Sequence, residues 1–192
     1  MSKHKSKYET VKLTPELVKN TFDYMAYVNH AKVKQKKDSK LIFLLSWFVP
    51  LFSSFSKEDF LTGSSTTLGN TMYFNFEIGN PKSKPLFSQL KILCHELQHV
   101  SDAYSDPRMM YRYSKSTADR AIYEAICFSI NIECDALRNG SLTEKQIPNL
   151  IKRYLKKIEK YGCRKKDLEA AEAILESRIK TMIELHKIKI IL

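Results

Sequence analysis

A short motif near the middle of the chain carries residue types that can do chemistry: residues 95–99 read His95-Glu96-Leu97-Gln98-His99. Residues four apart lie on the same face of an α-helix, so His95 and His99 can both bind one metal ion. Glu96 stands beside them and can transfer protons. This H-E-x-x-H pattern is typical of zinc metallopeptidases. We therefore expect His95 and His99 to be zinc ligands and Glu96 to be the general base.

The sequence around the motif indicates that it lies inside a helix, where its geometry requires it to be. Leu86, Leu90, Leu93 and Leu97 recur at helical spacing. No Gly or Pro interrupts residues 86–106, and Pro107 marks the end of the stretch. The competing interpretation is a pair of surface histidines on an amphipathic helix. We disfavour it because the motif sits in the helical context that metal binding demands.

A catalytic zinc site needs a third protein ligand and one open position. Three sources compete: Ser105 at the metzincin spacing, Glu124, or the later acids Glu133 and Asp135. The metzincin spacing fits poorly, because it places a serine at the ligand position. We favour Glu124, since an unpaired carboxylate among its apolar neighbours would be costly and metal coordination would remove that cost. The alternative is an ion pair with Arg120, one turn earlier on a solvated face.

Two further roles have candidates in the sequence. Hydrolysis needs a donor that stabilises negative charge on the substrate's carbonyl oxygen. Tyr111, Arg112, Tyr113 and Tyr123 are the candidates, and we take Tyr113 as the catalytic one. Asp102 follows the second histidine by three residues. It either accepts a hydrogen bond from a ligand imidazole or is a solvated acid near the helix end.

These residues predict a zinc-dependent peptidase. Zinc lowers the pKa of a bound water, Glu96 takes its proton, and the resulting hydroxide attacks a polarised peptide carbonyl. An exposed strand edge at residues 71–76 would pair with an extended peptide or protein substrate. Two alternatives stay open. One is a non-catalytic or regulatory binding protein on the same fold. The other is a basic surface-binding protein whose metal is structural and closed by four protein ligands.

The layout of the motifs also resembles a known group. Thr66-Thr67-Leu68-Gly69-Asn70-Thr71-Met72-Tyr73-Phe74, the helix with His95 and His99, and Tyr123-Glu124-Ala125 follow one another in that order. The chain resembles small gluzincin-like metallopeptidase domains of bacteria and phages over roughly residues 62–137. In those domains a T-x-G-N-x-I-Y strand precedes the motif helix and a Y-E-x-x-A helix follows it. The resemblance implies a zincin-like fold with His95, His99 and Glu124 as ligands and Glu96 as base. Cys127 departs from it, because that family usually has Ala there.

The remaining sequence predicts an α+β protein that is mostly helical. Residues 1–12 form a basic tail, and residues 13–192 a single metallopeptidase-like domain with a helical extension at 143–189. Thr14 and Pro15 predict a helix that runs to about His30, followed by a Lys-rich connector. Residues 66–78 alternate like β structure, so we expect a short β-strand or small sheet before the motif helix and a helical C-terminal half. Helices are expected over 117–139, which Gly140 closes, and over 143–161 and 165–189.

The chain is basic, with a net charge of +11, and its lysines concentrate toward the two ends. Such runs usually form solvated faces, although they can also meet nucleic acid, an anionic membrane or an acidic partner. No nucleic-acid-binding motif accompanies them, so we treat such binding as the minority interpretation.

An apolar segment at residues 41–52 has two interpretations. It either packs in the core or lies in a membrane interface, with Trp47 and Phe48 after a Lys-rich stretch. We favour the core, because a domain of this size needs apolar mass. The segment starts too late for a signal peptide and is too short to cross a bilayer. Four scattered cysteines fit a reducing compartment, and we expect a cytoplasmic protein.

Overall fold

The N-terminal helix begins where its sequence signals predict. The structure, a computed structural model, describes residues 12–51, 53–186 and 189–191. Most of the predicted basic tail, residues 1–11, therefore lies outside the described residues. Helix α1 spans Pro15–Val28, and the Thr14 hydroxyl accepts a hydrogen bond from the Leu17 amide at 3.1 Å. This cap and the proline at the first helical position confirm the predicted start.

A small mixed sheet follows, formed by β1 (Lys32–Gln35), β2 (Thr66–Leu68) and β3 (Thr71–Phe74) in the order β1-β3-β2. Strand β1 is parallel to β3, and β2 is antiparallel to it. The small sheet predicted before the motif helix is confirmed, although of the predicted β region 66–78 only residues 66–68 and 71–74 are in strands. Gly69, at a φ of 57°, and Asn70 form a two-residue turn that folds the segment into a hairpin. The Lys-rich connector supplies β1.

The sheet order also corrects the predicted strand edge. Strand β3 is central, and Met72, Tyr73 and Phe74 are all buried, because both neighbouring strands and the core cover it. Residues 71–74 therefore have no exposed edge that could pair with a peptide. Within the described sheet, β2 is one of the two edge strands.

Two long helices carry the motif residues. Helix α3 spans Leu86–Ser105 and α5 spans Thr117–Asn139, as the sequence predicts. Ser116 caps the start of α5, and Gly140, at a φ of 68°, ends it in the left-handed conformation that glycine adopts readily. The two helices pack against each other. A short helix between them, α4 (Met109–Lys115), was not predicted.

The C-terminal part is helical, as expected. Helix α6 spans Gln146–Lys160 and α7 spans Lys165–His186. Two three-residue strands, β4 (Ser141–Thr143) and β5 (Lys189–Ile191), pair in parallel and were not predicted. Strands this short carry too little alternation to be recognised, and they form because α6 and α7 bring the two segments together.

Two hydrophobic clusters lie on either side of the α3–α5 contact. The first joins α1, the central strand and α3 through residues such as Phe22, Phe74 and Leu93. The second joins α5, α6 and α7 through residues such as Ile132 and Ile158. The α+β class, mostly helical with a three-stranded sheet, is therefore confirmed.

The apolar segment contradicts the core interpretation. It contains helix α2 (Lys40–Ser46), of which only Ile42 and Ser46 are buried. Its larger apolar side chains, including Phe43, Leu44 and Trp47, are more than half exposed. A helix of two turns at the edge of the fold can press only one narrow face against the protein, so the rest faces outward. None of the described helices is long and apolar enough to cross a membrane.

Candidate metal centre

Helix α3 presents the motif to helix α5. His95 and His99 are one turn apart on the same face, and both are buried. Their Nε2 atoms point to Glu124 on α5: Nε2 of His95 lies 3.9 Å from Oε2 of Glu124, and Nε2 of His99 lies 3.5 Å from its Oε1. Ligands around a tetrahedral zinc ion are separated by roughly 3.4 Å, given bonds near 2.1 Å. Each of the two contacts is therefore close to the separation of two ligands of one ion, and the two contacts use different oxygens of the Glu124 carboxylate.

Helix α5 contacts the other nitrogen of each imidazole. Cys127 and Asn131 share the face of Glu124, three and seven residues further along. Sγ of Cys127 lies 3.4 Å from Nδ1 of His99, and the amide nitrogen of Asn131 lies 3.2 Å from Nδ1 of His95. The amide oxygen of Asn131 has no partner among the described residues. Turning this amide would let the oxygen accept a hydrogen bond from Nδ1–H, which would satisfy both groups.

A buried group of three residues, His95, His99 and Cys127, could hold a metal ion, because its candidate ligand atoms all lie within 4.8 Å of one another. Glu124 does not belong to this group, but it is an alternative third ligand because it lies close to the same two histidines. The two sets use different nitrogens of His99, since Cys127 is near Nδ1 and Glu124 is near Nε2. The two nitrogens of one imidazole point in different directions, so a single metal ion cannot be bound by both of them.

Glu124 is almost completely buried, which excludes the predicted alternative of a solvated face. Its Oε1 accepts a 2.6 Å hydrogen bond from the Tyr113 hydroxyl, whereas its Oε2 has no hydrogen-bond partner in the described part of the chain. Burial raises the pKa of Glu124 to about 8. A divalent cation at this position would favour the carboxylate instead. Oε2 of Glu124 thus faces Nε2 of His95 at 3.9 Å, beyond hydrogen-bonding distance, and it is available to bind a cation.

Arg120 is also buried, and it acts on the backbone around the site. Its guanidinium donates to the carbonyl oxygens of Tyr113, Ser114 and Tyr161 at 2.6–3.1 Å. These bonds tie the end of α4 to the loop that follows α6. Arg120 therefore helps to fix the position of the Tyr113 ring beside Glu124.

The buried environment keeps both imidazoles neutral near neutral pH. Burial lowers the pKa of His99 to about 4. Burial, together with the nearby His99, lowers the pKa of His95 well below its usual value. Metal binding requires the neutral imidazole with a free nitrogen lone pair. The two histidines therefore do not need to lose a proton before they bind a metal at neutral pH.

Glu96 is oriented by a residue of the sheet. The Thr67 hydroxyl on β2 donates a 2.7 Å hydrogen bond to Oε2 of Glu96. Burial raises the pKa of Glu96 to about 7, while the Thr67 hydrogen bond and the charge of Lys36 act in the opposite direction. A carboxyl group with a pKa close to neutrality can both take and return a proton.

Lys36 is an unexpected buried cation near Glu96. Its Nζ donates to the carbonyl oxygen of Phe60 at 2.6 Å and lies 3.9 Å from the centre of the Phe60 ring. Burial lowers the pKa of Lys36 to about 8, while the charge of Glu96 acts against this shift. The lysine thus favours the carboxylate form of Glu96.

The site opens into a cavity of about 380 Å³. The motif residues, Glu124 and Tyr113 form part of its wall, and β2 forms another part. The apolar side chains of the wall are those of Leu45, Phe48, Val49, Phe55, Phe60, Leu68, Met109 and Met110. Ser53, Ser64, Ser65, Ser114, Lys115, Arg120 and Tyr161 also line the cavity. Of the two candidate third ligands, Glu124 lines this cavity and Cys127 does not.

The other predicted site residues lie elsewhere. Asp135 forms an ion pair with Lys91 at 2.9 Å, and neither it nor Glu133 lines the cavity. Asp102 accepts a 2.7 Å hydrogen bond from Gln98, and its buried Oδ2 has no hydrogen-bond partner among the described residues. Of its two predicted roles, the bond to a ligand imidazole is therefore not formed. Cys127 and Asn131 make the Nδ1 contacts instead.

Of the four candidate oxyanion donors, Tyr113 is the one that lines the cavity. Tyr111 is exposed. Arg112 and Tyr123 form a separate network with Asp106: Arg112 pairs with the Asp106 carboxylate, and the Tyr123 hydroxyl donates to it at 2.9 Å. Burial and the nearby Glu124 raise the pKa of Tyr113 well above its usual value, so its hydroxyl keeps its proton.

Thr67, Asn131, Lys36 and Tyr161 belong to the site or its surroundings, and the sequence analysis assigned a role to none of them. Helical spacing from Glu124 could have found Asn131, seven residues later on the same face. The others come from a strand, a turn and a loop whose positions depend on the tertiary fold.

Comparisons of the chain with protein-family models, with curated proteins and with solved structures give no match. The function of this protein is therefore inferred from the geometry of the site.

Proposed function

We propose that the chain is a zinc-dependent metallopeptidase of the gluzincin-like type, with His95, His99 and Glu124 as the zinc ligands. The observation that carries this proposal is the buried Oε2 of Glu124, which has no hydrogen-bond partner in the described chain and lies 3.9 Å from Nε2 of His95. Leaving such an oxygen unsatisfied is costly. A cation between the carboxylate and the two neutral imidazoles would remove that cost.

The cavity favours Glu124 over Cys127 as the third ligand. Glu124 lines the cavity with both histidines and Glu96, whereas Cys127 does not. A catalytic zinc site keeps one position open to water or substrate. With Nε2 of His99 bound to the ion, its Nδ1–H would face the Cys127 sulfur at 3.4 Å, and this contact would hold the ring in place.

The bound zinc would supply Lewis-acid chemistry and make water more acidic. Glu96 accepts a proton from the attacking water and later donates it to the amine nitrogen as the C–N bond breaks. Thr67 holds Oε2 of Glu96, so the other carboxylate oxygen is free for this transfer. The Tyr113 hydroxyl keeps its proton and donates a hydrogen bond to Oε1 of Glu124, so it would exchange this bond for one to the substrate's carbonyl oxygen during the reaction.

Strand β2 supports a polypeptide substrate. Thr66, Thr67 and Leu68 line the cavity, and β2 pairs with β3 on one side only within the described sheet. An extended peptide could add to such an edge through main-chain hydrogen bonds. Because Thr67 also holds Glu96, a peptide on β2 would lie beside the general base.

The second candidate is a non-catalytic protein with a structural metal. The observation that favours it is the buried group of His95, His99 and Cys127. A structural site is closed by protein ligands and does not need the cavity.

The deciding experiment combines metal analysis with peptide cleavage. The purified protein should carry about one zinc per chain, given a site with three protein ligands. It should cleave members of a peptide library, lose this activity to a chelator and regain it with zinc. Zinc that stays bound without any cleavage would favour the structural alternative. Absence of bound metal after purification with zinc would contradict both.

A further inference from the structure

The apolar segment around α2 forms a surface patch that the proposed hydrolysis does not use. We define the α2 patch as the exposed apolar side chains of Leu41, Phe43, Leu44, Trp47, Phe48 and Leu51. The exposed fraction of these side chains ranges from 50% at Leu41 to 72% at Leu51. Single exposed apolar residues are ordinary, whereas six within one short segment indicate a surface that contacts something apolar.

Lys40 and Lys57 are the charged residues of the segment that carries the α2 patch, and Asp38 directly precedes this segment. Residues 39–57 contain no Asp or Glu, and lysines stand at both ends. The Lys57 ammonium lies 3.5 Å from the centre of the Trp47 ring and 4.4 Å from that of Phe43. Acids follow at Glu58 and Asp59. Hydrogen bonds from the Ser56 hydroxyl and amide lower the pKa of Asp59, and the charge of Lys160 adds to this shift.

Aromatic and leucine side chains beside lysines are the composition of a segment that lies in a membrane interface. The aromatic rings and leucines enter the boundary between headgroups and acyl chains, while the ammonium groups meet lipid phosphates. Because α2 has seven residues, it is far too short to cross a bilayer. We propose that the α2 patch docks this protein on the surface of an anionic membrane.

Charge favours this occupant over a second copy of the chain. The protein has a net charge of +11, so two copies repel each other, whereas an anionic bilayer attracts each copy. The attraction is strongest close to the lipid surface and weakens with salt.

Docking would also orient the candidate metal centre. Phe48 belongs to the α2 patch and lines the cavity together with His95 and Glu124. Leu45 and Val49, within the same segment, line it as well. The cavity would therefore open close to the lipid surface. This orientation follows from the patch alone and does not depend on the proposed peptidase activity.

Trp47 is the only tryptophan in the chain, so intrinsic fluorescence reports on the α2 patch directly. The full-length protein is mixed with vesicles of phosphatidylcholine that contain phosphatidylglycerol, and with vesicles of phosphatidylcholine alone. We expect a blue shift of the Trp47 emission and co-sedimentation with the anionic vesicles. Both effects should weaken as salt is added. An unchanged emission together with no co-sedimentation would overturn the proposal, as would equal binding to both kinds of vesicle.

Two double variants compare the loss of two exposed side chains inside the α2 patch with the loss of two exposed side chains outside it. Phe43→Ser combined with Leu44→Ser removes two exposed apolar side chains and should weaken vesicle binding more than about tenfold, because neither serine gains free energy by leaving water for the acyl chains. Tyr27→Ser combined with Leu185→Ser removes two exposed side chains elsewhere and should leave binding unchanged. Circular dichroism checks that both variants fold. Equal losses in the two variants would overturn the assignment. So would a stable dimer, detected by sedimentation equilibrium, that only the patch variant abolishes.

Discussion

Oε2 of Glu124 lies 3.9 Å from Nε2 of His95 on the neighbouring helix, is buried, and has no hydrogen-bond partner in the described chain. This pair links the two helices that carry the candidate metal centre. Its chemistry leads to the first prediction, which concerns the third ligand.

Glu124→Gln should greatly weaken zinc binding, because the amide keeps the shape of the side chain but loses the charge that balances the ion. The loss should exceed the roughly 10–100-fold typical of a residue that only hydrogen-bonds to a ligand. Glu133→Gln is the matched control, since Glu133 lies outside the cavity wall. Zinc titration measures both. If Glu133→Gln loses zinc and Glu124→Gln does not, the assignment of the third ligand is wrong.

Glu96→Gln should leave zinc bound and lower peptide turnover at least about a hundredfold, the scale expected for loss of a general base. Glu96 follows a ligand by one residue and is held by Thr67, so it can reach an attacking water without binding the ion. Metal content and turnover are measured on the same preparation. Undiminished cleavage with normal zinc would show that another group is the base.

Thr67→Val should lower kcat roughly tenfold and leave KM nearly unchanged, because it removes the hydrogen bond that orients Glu96 and keeps the volume of the side chain. Thr67→Ser retains a hydroxyl and should restore most of the activity. Steady-state kinetics of the three proteins test this role. A Ser variant as impaired as the Val variant would indicate that the methyl group and the packing of β2 matter, rather than the hydrogen bond.

Cys127→Ala should retain about one zinc per chain. Cys127 contacts Nδ1 of His99, whereas Glu124 lies on the Nε2 side, where we propose that the zinc binds. His99→Ala provides the comparison and should lose the metal, since both ligand sets require this histidine. Metal analysis of the two variants discriminates between the sets. Loss of zinc from Cys127→Ala, with Glu124→Gln still loaded, would support the structural site instead.

The lowered pKa of Lys36 should make the free energy of unfolding depend on pH. The pKa of Lys36 falls from 10.5 to about 8 in the folded protein. Between these values the unfolded chain binds more protons at this position, so the free energy of unfolding gains a contribution that rises with pH. Below about pH 8 both states are protonated, and the cost of burying the charge is fully present. Relative to Lys36→Met, the wild type should gain stability from about pH 8 to pH 10.5. Urea unfolding across this range measures the difference, and parallel curves would contradict the prediction.

Local signals in the sequence determined the helices and the first half of the site. Thr14 and Pro15 define the start of α1, because capping depends only on neighbouring backbone groups. The spacing of His95 and His99 on one helix face follows from the period of the α-helix. Glu124 as the third ligand was argued from its apolar neighbours and remains a prediction, although the fold brings it within 3.5 Å of His99.

Only the tertiary structure decided which distant groups meet. The alternation of residues 66–78 predicted β structure, but only the folded hairpin, with its turn at Gly69, brings Thr67 to Glu96. The segment around Trp47 was predicted to pack in the core, and the fold leaves that segment exposed beside the cavity. Helical periodicity and caps act over a few residues and can be read locally. Strand pairing and burial depend on which surfaces the rest of the chain offers, and those surfaces exist only once the chain has folded.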